Sequence, residues 1–450
     1  MNLRQKIEQE IRECGPLPFS RYMEMCLYDP ELGYYSRNAE KFGKAGDFYT
    51  SSDVHAVFGR LLARQFEEIW RALGSPADIE LVELGPGRGL FAQDVLDWSE
   101  KKFPELCRAL RYTLDERSSS LRAGLETRFL ERIEGGKVTL LPRDSVGSGQ
   151  AVHLEDPMRE DVSAKADSSH LLAASTRLRT AQNDNFKIVP GAAEGQGHGS
   201  EWEGRGFSRA KQHHTMRRAL AAEVPLIVFA NEFFDALPVE VLSEKGSLRI
   251  ASRDGRFVEE WAEPSEEELG FLDRYSVHPA GQERTEVALL SQGTMSELAA
   301  LIEHGFFVVI DYGYTRKEQL DGRHLDTIMT YRQHSASPDP YQAPGEQDIT
   351  AHVNFTALTA GAEQGGMQVY PVLTQSQFLL GIGEANQFAD AFEDCRLPQE
   401  RAKVALQLKH LVTPSGMGET FHVLIGSKGV DRDLMSGLSG LSFGNNGMQV

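Results

Sequence analysis

The chain has 450 residues, 40% hydrophobic and 25% charged, enough to bury a large core in more than one structural unit. Its formal net charge of -19 argues against a phosphate-binding surface and against nucleic acid as the main substrate. Such a surface attracts a basic partner, for instance an arginine-rich peptide, or serves solubility alone.

The four cysteines, Cys14, Cys26, Cys107 and Cys395, stand far apart without C-x-x-C spacing. They make neither a zinc site nor a disulfide framework, and a reducing compartment is expected. The stretch from Met1 to Glu8 has no apolar signal core, and its acids do not suit a transit peptide, so a cytoplasmic, bacterial location is expected. No run approaches the ~20 apolar residues of a membrane span, and membrane insertion is not expected.

Leu3, Ile7 and Ile11 recur every fourth residue and predict a short amphipathic helix. Pro16 and Pro18 end it and open a second helix through Tyr22, Met23, Cys26 and Leu27. An aromatic turn follows, Tyr28 to Tyr35, and then a polar loop from Gly46 to Asp53. Asp47, Tyr49 and Thr50 of that loop are candidates to close over a ligand. Equally, the loop is the start of the next helix, capped by Ser52 or Asp53. That helix is expected to carry Val54, Val57, Phe58, Leu61, Leu62, Phe66, Ile69, Trp70 and Leu73 on one side and to close at Gly74. Residues 1–74 are thus expected to form an N-terminal helical cap region.

Residues 75–141 open on Ile79 to Phe91, around which the chain is organised. Leu81, Val82 and Leu84 suit a strand buried on both faces of a parallel sheet. Gly85, Gly87 and Gly89 follow, and then a helix through Phe91, Val95, Leu96 and Trp98 whose first amides face the loop. The order is E-x-G-x-G-x-G rather than the dinucleotide G-x-G-x-x-G. Glu83, just before the first glycine, suits a cationic group such as an amino acid ammonium. S-adenosylmethionine fits these requirements, and the loop resembles motif I of class I methyltransferases; a ligand-free turn and another nucleotide are the alternatives. Tyr112 to Glu116 predicts a second strand. An acid at its end is placed to hold ribose hydroxyls. Glu116 is the candidate, with Asp115 the alternative under a one-residue slip.

Val138 to Leu141 predicts a short third strand. From 142 to 223 apolar runs vanish, which predicts a largely disordered insertion. His213 and His214 within it read as a solvated pair. Pro225 to Ala230 resumes as a buried strand, followed by Asn231-Glu232-Phe233-Phe234-Asp235-Ala236-Leu237-Pro238. Polar groups directly after a buried parallel strand lie at the ligand edge of a sheet. Glu232 and Asp235 would share a face of a helical turn and orient a guanidinium or ammonium; a capped turn with both phenylalanines in the core is the competing expectation. An antiparallel excursion is predicted from Val239 to Leu242, Leu248 to Ser252 and Phe257 to Trp261, turning at Arg253-Asp254-Gly255. A helix through Val287, Leu289, Leu290, Met295, Leu298 and Ile302 comes next, then a strand from Phe306 to Ile310 with a polar-aromatic exit, Asp311 to Tyr314. Between Gly345 and Phe355, Asp348, His352 and Asn354 are candidate substrate contacts; a buried, satisfied histidine is equally consistent, and no metal-ligand spacing is present. Helices near Phe378 and Val404 to Leu411 and a strand from Thr420 to Ile425 complete 224–427. The Gly-, Ser- and Asn-rich tail, 428–450, is expected to be disordered.

Together these stretches resemble the MidA-type methyltransferases, bacterial relatives of the mitochondrial arginine methyltransferase of respiratory complex I assembly. Cys26 to Pro30, Gly33 to Tyr35, Gly46 to Ser51, Glu83 to Gly89, Asn231 to Pro238, Ile310 to Tyr314 and Pro344 to Phe355 carry the resemblance, over about residues 1–141 and 224–427. The polar insertion departs from it and leaves Asp144 a weak candidate for an adenine contact. The resemblance implies an α/β, Rossmann-like class I methyltransferase fold with a doubly wound, mainly parallel sheet, an N-terminal helical segment and added substrate-side elements. It implies S-adenosyl-L-methionine as cofactor and a protein substrate presenting arginine. The expected site comprises Asp47, Tyr49, Thr50, Glu83, Gly85, Gly87, Gly89 and Glu116 for the cofactor, and Asn231, Glu232 and Asp235 for catalysis. A cofactor-binding assembly factor without catalysis and a small-molecule N- or O-methyltransferase are the alternative functions. The oligomeric state is not legible.

Overall fold

A nine-stranded sheet forms the centre, and its main path runs Gln368–Val369, Phe421–Lys428, Gly305–Tyr314, Leu226–Asn231, Ile79–Leu84, Leu110–Asp115, Val138–Leu140. The computed structural model describes residues 1–37, 56–141, 224–322, 324–332 and 335–445, all belonging to one unit. The loop carrying Asp47, Tyr49 and Thr50, the 142–223 insertion with Asp144, His213 and His214, and 446–450 lie outside them.

The five strands from Gly305–Tyr314 to Val138–Leu140 are parallel, and Phe421–Lys428 closes antiparallel on Gly305–Tyr314, with Phe307 opposite Gly426. Side chains alternate across the strands. Ile79, Leu81, Ile227, Phe229, Val308 and Ile310 enter one core, with helices Ala56–Ala72 and Leu90–Lys102. Val82, Leu84, Val228, Ala230, Phe307 and Val309 enter the opposite core, with helices Leu289–Leu301 and Phe355–Gln364. Burial on both faces explains why these strands read as unbroken apolar runs. The doubly wound α/β expectation is met. The chain leaves Ile79–Leu84 toward Leu110–Asp115 on one side and later returns on the other as Leu226–Asn231. The carboxyl ends of these two strands therefore flank the crevice at the switch point.

A second sheet, antiparallel, joins Leu17–Pro18, Glu240–Ser243, Gly246–Arg253, Arg256–Ala262 and Thr285–Val287. Its long hairpin turns at Asp254 and Gly255, with φ of 52° and 71°, the left-handed pair that a two-residue hairpin loop requires. Helices Leu3–Cys14 and Phe19–Tyr28 share this sheet's core, whereas Ala56–Ala72 packs on the parallel sheet. The expected 1–74 unit is thereby divided between two cores. Val287 ends a strand opposite Glu240, so the following helix starts at Leu289, later than its periodicity suggested. A three-stranded sheet, Met329–Arg332, Ser335–Ser337 and Asp348–Thr350, was not foreseen.

The expectation of a disordered tail fails up to Asn445. Arg432–Ser436 is helical, Ser439–Leu441 is a 3-10 turn, and Ser442–Asn445 is a further helical turn. Met435, Leu438 and Leu441 are buried in the main core. The amides of Ser439 and Gly440 donate to Glu68 and Gln65 on the Ala56–Ala72 helix, at 2.8 and 2.9 Å. Three apolar residues at three-residue spacing outweigh the polar composition once a helix surface is there to receive them. Among the described residues no helix is long and apolar enough to cross a membrane.

Candidate active site

The three glycines after Leu84 all take positive φ, 61°, 54° and 72°. Their surroundings differ. A Cβ on Gly85 would stand 3.1 Å from the Phe233 ring, so the glycine loop and the Asn231–Pro238 stretch meet across the switch point. A Cβ on Gly89 would strike Leu125 at 2.5 Å and Phe129 at 2.7 Å, so this glycine lets the helix Leu90–Lys102 seat closely. A Cβ on Gly87 would meet no described atom within 4 Å, so among the described residues the space over the loop is open. The Gly87 N–H donates to Glu116 Oε2 at 3.1 Å, and the Ser118 N–H donates to Oε1 at 2.8 Å. Glu116 is thus turned onto the loop from the end of the second strand. Burial, opposed by these amides and supported by Asp115, pushes its carboxyl up to about 7. Glu83 is buried and accepts from the Tyr112 hydroxyl at 2.8 Å; burial pushes it up to about 8.

This arrangement fits the expected cofactor. An open cradle over Gly87 admits the chain of a nucleoside-linked amino acid. The helix Leu90–Lys102 points its amino end at the cradle, and Glu116 offers a carboxylate at its rim. Among the described residues, no group of three or more metal-ligating side chains is gathered to hold a metal.

Asn231 ends its strand and donates from Nδ2 to Glu232 Oε1 at 3.1 Å. Glu232 then takes φ 50°, a left-handed conformation that costs a non-glycine residue ~1 kcal/mol or more. The backbone leaves the strand in an irregular turn, with no helix through 232–239. Glu232 and Asp235 therefore do not share a helical face, contrary to the sequence expectation. Glu232 is half-buried at the crevice, while Asp235 is buried and accepts from the Tyr312 hydroxyl.

The turn is held by Asp311. Its Oδ2 accepts the N–H groups of Phe233, Phe234 and Asp235 at 3.1, 2.9 and 3.4 Å, and its Oδ1 accepts its own neighbour, Tyr312 N–H, at 2.9 Å. Asp311 is fully buried; burial, then repulsion from Asp235 and Glu232, pushes its carboxyl well above the usual range. Asp311 sits near the end of Gly305–Tyr314, which runs past its parallel neighbour and reaches over the motif. The sequence singled out neither Asp311 nor Tyr312 as a site residue. The available signal was an acid inside an otherwise apolar strand.

Of the candidates from 345 to 355, Asn354 is a structural residue. It caps Phe355–Gln364 by accepting from Ala357 N–H at 3.0 Å and donates to Tyr275 O at 2.9 Å. His352 packs edge-on to Tyr312 and lies 3.2 Å from His324, Nδ1 to Nδ1; burial, then the charges of His324 and His422, lowers it to about 4. Asp348 is fully buried and accepts from the Tyr35 hydroxyl at 3.0 Å.

Residues 61–373 match a family described as S-adenosyl-L-methionine-dependent methyltransferases. A mitochondrial protein arginine methyltransferase of Drosophila melanogaster, an NDUFAF7 homologue, is 27% identical over 95% of this chain and 85% of its own length. The Danio rerio NDUFAF7 protein, also named a mitochondrial protein arginine methyltransferase, is 26% identical over 92% and 84%. Among solved structures, a COG1565 superfamily member from Burkholderia thailandensis bound to S-adenosyl-homocysteine superimposes with a TM-score of 0.67, covering 98% of this chain and 94% of that one at 24% identity.

Proposed function

The chain belongs to this family of S-adenosyl-L-methionine-dependent methyltransferases, and from that premise we propose that it methylates a guanidinium nitrogen of a protein arginine. The names of the Drosophila and Danio relatives support the arginine. The observation that carries the proposal is the half-buried carboxylate of Glu232, held in a strained backbone conformation between Asn231 and the turn clamped by Asp311. Strain retained at a crevice indicates a geometry kept for chemistry.

When bound, S-adenosylmethionine supplies a methyl group on a sulfonium, which an acceptor nitrogen takes as the carbon–sulfur bond breaks and its electron pair stays on sulfur. The chain's own groups do the rest. Gly87 leaves room for the cofactor, Glu116 holds its ribose hydroxyls, and Glu83 stands behind the methionine end. Glu232 aligns the guanidinium and receives the proton released as the new bond forms; Asn231 orients Glu232. Asp235 acts at one remove by holding Tyr312 at the edge of the acceptor space.

The test incubates the protein with methyl-labelled cofactor and a cell extract, followed by acid hydrolysis of the protein fraction. Methylarginine carries the label if the proposal holds. Glu232→Gln should keep S-adenosylhomocysteine affinity and lose transfer. Label confined to metabolites or to lysine, or full transfer by Glu232→Gln, overturns it.

A further inference from the structure

We propose that Tyr28, Tyr35, Tyr331 and Asp348 build a second wall of the acceptor site that selects a guanidinium over neutral and compact cationic side chains. The wall rests on the methyl-transfer reading above and adds the groups that discriminate between acceptors.

The rings of Tyr28 and Tyr35 stack at 5.5 Å with 30° between planes. They bridge two segments distant in sequence. The Tyr28 hydroxyl donates to Ala236 O at 2.9 Å, one residue beyond Asp235, and the Tyr35 hydroxyl donates to Asp348 Oδ1 at 3.0 Å. Tyr331 lies opposite Asp348 in the three-stranded sheet, and its hydroxyl feels the charges of both Asp235 and Asp348. The Tyr28 hydroxyl thereby ties the stacked pair to the backbone of the Asn231–Pro238 stretch, and it feels the charges of Arg117, Asp348, Asp235 and Glu116. All three tyrosines are half-buried, and Asp235 and Asp348 are buried.

In this proposal the three tyrosines border the acceptor space, with the buried carboxylates of Asp235 and Asp348 close to them. Both features favour a cation, the rings through their quadrupoles and the acids through the low-dielectric interior. Asp348 carries the Tyr35 hydroxyl and Asp235 the Tyr312 hydroxyl, so a cation at this wall would meet tyrosine oxygens as well as the acids. A guanidinium suits this better than an ammonium: it is planar, stacks on rings and is more weakly hydrated. Arg117, the cation acting on Tyr28, is exposed and follows Glu116 at the glycine-loop end.

The test uses the full chain saturated with S-adenosylhomocysteine and ligand-observed NMR with three probes: the N-acetyl methylamides of arginine, lysine and citrulline. Arginine should bind at least about tenfold more tightly than citrulline, which has its shape but no charge, and more tightly than lysine. Asp348→Asn and Tyr331→Leu should each weaken the arginine probe by about three- to tenfold, with S-adenosylhomocysteine affinity unchanged. Tyr331→Leu, altering a partly exposed side chain, decides the matter if Asp348→Asn does not fold. Equal binding of citrulline and arginine, preference for lysine, or unaltered arginine binding by Tyr331→Leu overturns the assignment. Loss of methylarginine in the extract experiment sinks the substrate proposal instead, and the two failures are read by separate assays.

Discussion

Two neighbouring glycines separate what the loop does for the fold from what it does for the ligand. Gly87 and Gly89 both hold left-handed φ, 54° and 72°, so alanine at either costs about 1–2 kcal/mol of backbone strain. There the equivalence ends. At Gly87 the new methyl meets no described atom within 4 Å, so the strain should be the whole stability cost. At Gly89 it arrives 2.5 Å from Leu125 Cδ2 and 2.7 Å from the Phe129 ring, adding an overpacking cost of about 1–3 kcal/mol, for a total of about 2–5 kcal/mol. The order reverses for cofactor binding. A methyl on Gly87 projects into the cradle and should weaken S-adenosylhomocysteine at least tenfold, about 1.4 kcal/mol, and Gly87→Val should abolish binding. Titration calorimetry gives the affinities, and thermal unfolding of the ligand-free variants gives the stabilities. Wild-type affinity in Gly87→Ala would refute the cradle; wild-type stability in Gly89→Ala would refute the packing role of the third glycine.

Three further outcomes are expected. Asp311→Ala leaves four backbone N–H groups without their acceptor and should cost about 3–5 kcal/mol, read by urea unfolding; Asp311→Asn, which keeps one carbonyl oxygen, should cost less. Glu116 is raised to about 7 from 4.5, and the signs for stability and binding are opposite. The folded state holds this proton more tightly, so its contribution to ligand-free stability is full below about 4.5 and is lost as pH rises toward 7. Ribose binding needs the carboxylate as acceptor, so cofactor affinity should instead rise through pH 7; a flat profile in the wild type, or an unchanged slope in Glu116→Gln, contradicts this role. Deleting 429–450 removes buried Met435, Leu438 and Leu441 and should cost about 4–9 kcal/mol in thermal or chemical unfolding; an unshifted transition would show that the tail is dispensable to the core.

The sequence by itself determined the architecture of the parallel sheet and the position of the glycine loop. Both are local properties. A strand buried on two faces must be apolar throughout, as Leu226 to Ala230 is, and a loop with three left-handed residues selects glycine. The sequence also narrowed the acid after the second strand to Asp115 or Glu116, and it is Glu116 that accepts the Gly87 amide. Tertiary structure decided the rest. Whether Asn231 to Pro238 forms a helix depends on where its amides find acceptors, and Asp311, 77 positions beyond Phe234, supplies one and bends the chain into a turn. Asn354 looked like a substrate contact, but its amide group is occupied by Ala357 and by Tyr275, 79 residues away. The tail folds because Gln65 and Glu68 await its amides on a helix more than 370 positions earlier. Hydrogen-bond partners at such separations leave no periodicity to read. The sequence shows which groups need a partner, and packing alone shows which partner each one finds.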